Sequence, residues 1–147
     1  LQAAGVISKE VSSTEREILV KAAPLIQERI VVLSEAVSML DFLFKNSADI
    51  VIEDDAKAGL PEDSKAICEA ALQVLEAIDS SAFVTTTIQE VLNKKLIEEM
   101  GQKPRNAFGP LRTAISGKRI SPPLFESMEI LGKEQTLARI KSFAQAL

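Results

Sequence analysis

Apolar residues recur at three- and four-residue spacings through nearly the whole chain, and glycines and prolines cut that rhythm into short lengths. Side chains three and four apart line one face of an α-helix, whereas a half-buried strand needs strict alternation. A chain patterned this way has to bury many short helical stripes against one another, so the expected fold class is all-α. Two overlapping capping boxes, Ser12 with Glu15 and Thr14 with Glu17, open the first helix. Pro24 either interrupts that helix or starts a second one. Beyond it Ile26, Ile30, Leu33, Val37, Leu40 and Phe44 form one stripe, which predicts a helix of about five turns, the strongest in the chain. Residues 46–61 break the pattern and are expected to form a connection with little regular structure.

A helix over 62–78 follows from Ile67, Ala70, Ala71, Val74, Leu75 and Ile78, and Asp79-Ser80-Ser81 closes it. Further on, a stripe from Val84 to Met100 ends at Gly101, a helix over 105–116 ends at Gly117, and Pro122-Pro123 opens a helix that Gly132 stops. Leu137, Ile140, Ala144 and Leu147 mark the last one. The layout describes a two-lobed helical bundle or cage, with an acidic lobe over 1–81 and a basic lobe over 82–147.

Charge supports the division. The 147 residues carry 17 Lys or Arg, 21 Asp or Glu and no His, a net of −4. Residues 1–90 hold 7 basic and 16 acidic side chains, and residues 91–147 hold 10 basic and 5 acidic. The total therefore conceals −9 followed by +5, and a basic half of this kind points to a polyanionic partner. Without His, a Ser-His-Asp triad or a His-ligated metal is excluded. The lone Cys68 sits beside an apolar stripe and reads as a small buried hydrophobe in a chain from a reducing compartment. No stretch approaches the roughly 18 consecutive apolar residues of a membrane span, so a cytoplasmic protein is expected, with no membrane contact. The chain opens on Leu in what reads as a continuing segment, and part of a longer protein is expected.

Little in the motifs supplies chemistry. Ser116-Gly117-Lys118-Arg119 is too short for a phosphate loop. The adjacent pairs Asp54-Asp55 and Glu98-Glu99 read as solvated surface, and neither catalytic nor metal-ligating residues are expected. The basic tract differs in kind. From Gly101 to Arg119 the chain carries Lys103, Arg105, Arg112, Lys118 and Arg119 with no acid. Arg105 and Arg112, seven residues apart, fall within about 20° of each other around a helix axis. Guanidinium groups suit phosphate forks and base edges. Phe108 and Phe125 have flat faces that suit base stacking, yet they fall on apolar stripes and are expected in the core.

From Lys103 onward the sequence resembles the end of bacterial glutamyl-tRNA synthetase, a class I aminoacyl-tRNA synthetase. The matching residues are Gly109-Pro110-Leu111-Arg112-Thr113-Ala114-Ile115-Ser116-Gly117, Ser121-Pro122-Pro123-Leu124-Phe125-Glu126, Leu131-Gly132-Lys133-Glu134 and Leu137-Ala138-Arg139-Ile140. Gln27-Glu28-Arg29 and Leu40-Asp41-Phe42-Leu43-Phe44 are similar to the preceding helical part. The resemblance implies a helical region that binds the anticodon arm of tRNA-Glu, with Lys94, Arg112, Ser121, Pro122 and Leu124 against the anticodon bases. A parent enzyme of that family uses ATP and Mg²⁺, but its His-x-Gly-His signature cannot occur in a His-free chain. The chain alone is therefore expected to hold no cofactor and to be inactive in aminoacylation. A monomer is expected. Other readings remain open: a helical protein-interaction scaffold whose acidic lobe docks a basic partner, and a DNA-binding helix-turn-helix. The apolar Leu124, Phe125, Met128 and Leu131 leave the latter little polar face for base reading, and no DNA contact is expected.

Overall fold

A computed structural model describes residues 1–147, and every regular element in it is helical. In chain order the α-helices are α1 (Ser13–Ile26), α2 (Glu35–Leu40), α3 (Asp54–Ala58), α4 (Ser64–Glu76), α5 (Thr85–Leu92), α6 (Pro104–Ser116) and α7 (Leu124–Ala146). Short 3₁₀ turns at Asp41–Phe44, Ser47–Asp49 and Ser80–Ala82 link them, and α5 runs on into a π-helical stretch, Asn93–Glu99.

Of the two possible capping boxes, the first is formed. Ser12 Oγ accepts the Glu15 N–H while the Glu15 carboxylate accepts the Ser12 N–H at 2.8 Å and the Ser8 N–H at 2.9 Å. Pro24 neither breaks α1 nor starts a helix, and lies inside its last turn. The long helix expected over 26–44 is absent. The backbone leaves the helix after Ile26 and turns through residues 27–34 before α2, and the 3₁₀ turn Asp41–Phe44 replaces the last part. Ile30-Val31-Val32 is a β-branched run that gains little from a helix. Ile26 and Leu40, towards the two ends of the stripe, are buried, but Leu33 between them is 86% exposed, so no continuous partner surface rewards it. Instead the Glu35 carboxylate accepts the Val31 N–H at 2.7 Å.

The glycine stops at 101, 117 and 132 all have positive φ, between 67° and 79°. Gly132 breaks α7 into two arms, as its φ of 79° and ψ of 165° lie far from a helix. Gly117 is the most constrained. A side chain there would run into the Val51 carbonyl oxygen, and the Gly117 carbonyl accepts the Glu53 N–H at 2.8 Å. The connection over 46–61 is thereby fastened to the end of α6, and it contains the short helix α3 that the sequence pattern did not announce.

Two apolar clusters form. The larger gathers Ile67, Leu75, Ile88, Leu92, Leu96, Leu111, Ile115, Met128 and Ile140 from α4 to α7, with α7 packed across α4, α5 and α6. The smaller gathers Ala22, Ile26, Leu40, Phe42 and Leu43. The core therefore does not divide at residue 81, where the charge pattern placed a boundary: α4 shares its interior with the basic segment that follows. Cys68 lies fully buried in the larger cluster, and desolvation pushes its thiol up to about 12.

Between the clusters sits Arg139, 2% exposed. Its Nη1 donates to the Ile115 carbonyl at 2.7 Å and its Nη2 to the Lys45 carbonyl at 2.6 Å. Burial brings this guanidinium down to about 10, still charged at neutral pH.

Two outcomes are expected. Arg139→Met, which keeps the stem but orphans two buried carbonyls, lowers unfolding free energy in a urea titration by about 3 kcal/mol, at roughly 1.5–3 per charge-assisted hydrogen bond. The Glu15 carboxyl is held down at about 2, chiefly by the Ser12 and then the Ser8 backbone N–H. A depressed carboxylate contributes stability that is full above its ordinary value of 4.5 and disappears as pH falls towards 2. Glu15→Gln accordingly flattens the fall in melting temperature between about pH 5 and pH 2.

Candidate nucleic-acid interface

The helix that carries the basic tract is α6. It starts with Pro104 in the first turn, where a missing N–H costs nothing, and ends on the left-handed Gly117. Its buried face, with Leu111, Ala114 and Ile115, locks onto the core, which leaves Arg105, Phe108, Gly109 and Arg112 outward along a cleft. Arg119, from the loop after α6, reaches the same cleft, and Gly59 and Leu60 form its other wall. The structure thus brings Arg105 and Arg112 to one face, as their seven-residue spacing predicted, with Arg119 beside them. Phe108 and Phe125 pack edge to face with centroids 5.2 Å apart, so both rings serve the core.

Arg112 also shapes what lies beside it. Its Nη1 donates to Ser121 Oγ at 2.8 Å, to the Pro122 carbonyl at 3.0 Å and to the Ser121 carbonyl at 3.3 Å. One guanidinium thereby fixes the Ser121-Pro122 turn that starts α7. A second arrives from the acidic lobe: Arg29 Nη1 donates to the same Ser121 carbonyl at 3.4 Å. Arg112 is driven below its ordinary value first by burial and then by the neighbouring charge of Arg29. Arg29, which the sequence pattern placed in a long helix, lies instead on the irregular segment after α1, and the tertiary fold brings it to this surface.

Ion pairing sharpens the picture. Three ion pairs are present, Lys45–Asp41, Lys95–Glu99 and Lys118–Asp41, and all are made by lysines. Arg29, Arg105, Arg112 and Arg119 have no carboxylate within ion-pair range, so this face holds uncompensated positive charge.

Other expected contacts are placed differently. Ser121, Pro122 and Leu124 are buried, with Leu124 4% exposed inside the large cluster, so their side chains are not available to a base in this structure. Their turn is a support for Arg112. Lys118 turns away from the arginines: its Nζ pairs with Asp41 at 2.8 Å and donates to the Ser38 carbonyl. Lys103 is exposed at the N-cap of α6 but does not line the arginine cleft. Lys94 is exposed on the π-helical stretch, in a separate shallow depression with Gln73, Val91 and Lys95. No three His, Cys, Asp or Glu side chains are grouped to hold a metal ion, and no helix is long and apolar enough to cross a membrane.

Packed helices that present unpaired guanidiniums beside a proline turn make this an all-helical module with one uncompensated basic face. A family model described as an anticodon binding domain matches residues 3–144, and the chain belongs to that family. Among curated relatives, a glutamate–tRNA ligase from Arthrobacter sp. (strain FB24) is 54% identical over 144 residues, covering 97% of this chain and 28% of that protein. One from Leifsonia xyli subsp. xyli is 48% identical over 147 residues, covering 100% and 30%. The chain therefore spans less than a third of the relatives' length. A crystal structure of a glutamate tRNA ligase from Elizabethkingia meningosepticum in complex with its amino acid shares the fold at a TM-score of 0.77 and 22% identity, covering 99% of this chain and 27% of that one.

Because Arg112 stabilises the turn through three hydrogen bonds, Arg112→Met is expected to lower stability by about 2 kcal/mol in chemical denaturation. Arg105→Met and Arg119→Met, on exposed side chains without ion pairs, are expected to leave the unfolding midpoint unchanged.

Proposed function

We propose that this chain is the anticodon-binding part of a glutamate–tRNA ligase, and that it holds the anticodon arm of tRNA-Glu while another part of the ligase carries out glutamylation. The observation that carries the reading is the set of four arginines, Arg29, Arg105, Arg112 and Arg119, on one face with no acidic partner. Keeping Arg29 and Arg112 on a single carbonyl costs electrostatic energy in the free protein, and a phosphate backbone offsets it. Anticodon bases are splayed single-stranded elements whose edges planar guanidiniums can read. The rigid Ser121-Pro122 turn supports that face from below.

In this reading ATP and Mg²⁺, which the family resemblance assigns to the parent enzyme, are held outside this chain. Amino-acid activation accordingly belongs to the remainder of the ligase, and the chain alone is inactive in aminoacylation. Lys94 and Lys103 act, in this reading, as flanking phosphate contacts, each weaker and less directional than an arginine fork.

Fluorescence anisotropy of labelled tRNA-Glu, titrated with this chain across a range of KCl, tests the proposal. Binding is expected to weaken linearly in log Kd against log salt. Arg105→Gln and Arg119→Gln are each expected to flatten that line by about 0.7, the contribution of one single-strand phosphate contact. Salt-independent binding, or binding no tighter for tRNA-Glu than for an unrelated tRNA with both arginine variants unchanged, overturns it.

A further inference from the structure

Lys118 belongs by sequence to the run of bases, yet it is spent internally. Its ammonium reaches back across 77 residues to Asp41 Oδ1 at 2.8 Å and to the Ser38 carbonyl. Both side chains of the pair are 18% exposed, so the contact is sheltered from bulk water. Asp41 receives a second cation, Lys45, at 2.8 Å, and its two lysines keep its carboxyl below the usual range despite the opposing effect of burial. The two anchor points matter because of what they bracket. On one side, Lys118 follows the Gly117 bend and leads into Arg119 and the Ser121-Pro122 turn. On the other, Ser38 and Asp41 close the segment of residues 27–38, which carries Arg29.

That segment is fastened to the smaller cluster through Ile30 and Ala36, but only weakly to the basic lobe. Val31, Val32 and Leu33 are exposed, α2 is six residues long, and Arg29 makes one contact of 3.4 Å to the basic lobe. Arg29 and Arg112, both cations, meet on one carbonyl without a carboxylate between them. Their mutual repulsion pushes the segment away, and a tether of opposite sign is needed close by. We propose that the Lys118–Asp41 pair is this latch: Lys118 and Asp41 are positioning residues that keep the Arg29 segment in register with Arg112 and Arg119, and Lys118 is not itself a contact to RNA. The inference rests on the RNA-binding reading for its consequence, although the latch exists in the free protein and can be tested there.

Asp41→Asn separates the two roles by sign. If Lys118 touches phosphate, removing its internal partner frees it and RNA binding tightens. If it is a latch, binding weakens by about three- to tenfold, as the competent orientation falls to about a tenth to a third of the population. Lys118→Met is expected to weaken binding similarly while keeping the wild-type salt slope, and Lys118→Arg is expected to restore it. The free chain supplies a second readout. Spin labels placed through Leu33→Cys and Glu98→Cys, both exposed sites, report the distance from the segment to the basic lobe, and buried Cys68 stays unlabelled.

The distance distribution is expected to broaden in Asp41→Asn and Lys118→Met and to narrow again in Lys118→Arg. An unchanged distribution in both variants overturns the latch. So does tighter RNA binding by Asp41→Asn, or a slope flattened by about 0.7 in Lys118→Met. If the wild-type chain binds no RNA while the distances respond as expected, the functional reading fails and the latch stands.

Discussion

The arrangement depends on a buried guanidinium. Arg139 lies between the two apolar clusters and donates one hydrogen bond to the last turn of α6 and another to the backbone after the 3₁₀ turn of the first lobe. A carbonyl near a helix C-terminus carries partial negative charge and lacks an intrahelical donor, so a cation there both neutralises and caps it. Burying such a charge is costly, and its displacement to about 10 reflects that cost. The gain is directional: a planar fork can bind two carbonyls from separate elements, which no apolar side chain can do.

Around that point short-range polar contacts tie the smaller apolar cluster and its flanking segments to the larger one. Gly117 admits the Val51 carbonyl, and its own carbonyl accepts the Glu53 N–H; Ser47 Oγ donates to Gln135 at 2.7 Å; Lys118 pairs with Asp41. The result is a junction whose geometry is fixed by hydrogen-bond directions. It positions the Arg29 segment beside the end of α6 and leaves the arginines without acids. Positive charge is thus concentrated by two separate means. Lys45, Lys95 and Lys118 are neutralised by internal ion pairs, whereas Arg29, Arg105, Arg112 and Arg119, with forks suited to phosphate and base edges, have no carboxylate partner.

Much of the helical layout was legible in the chain. Gly101, Gly117 and Gly132 mark their bends because positive φ is inexpensive only for glycine, and the 3.6-residue stripes of α4 and α6 found their partners. The stripe from Ile26 to Phe44 did so only towards its ends, because periodicity describes a surface and says nothing of whether another surface exists to cover it. The cleft arginines were legible for the same geometric reason: seven residues place Arg105 and Arg112 on one helical face. The resemblance placed Ser121, Pro122 and Leu124 against the anticodon bases, whereas in the structure all three are buried and the Ser121-Pro122 turn is bonded to Arg112.

What the sequence determined by itself is the kind of protein: helical, with an uneven charge, no His for a triad or a His-ligated metal, and a basic tract resembling an anticodon-binding region. Those properties reside in residue identity and local spacing. Only the tertiary structure decided which bases are available. Lys118 and Arg119 are neighbours in the chain, yet one is bound to an aspartate 77 residues away and the other faces the cleft. Arg29 and Arg112 are far apart in the chain and share one carbonyl. Charge interacts through space, so its partners are set by the folded path of the backbone and cannot be counted along the sequence.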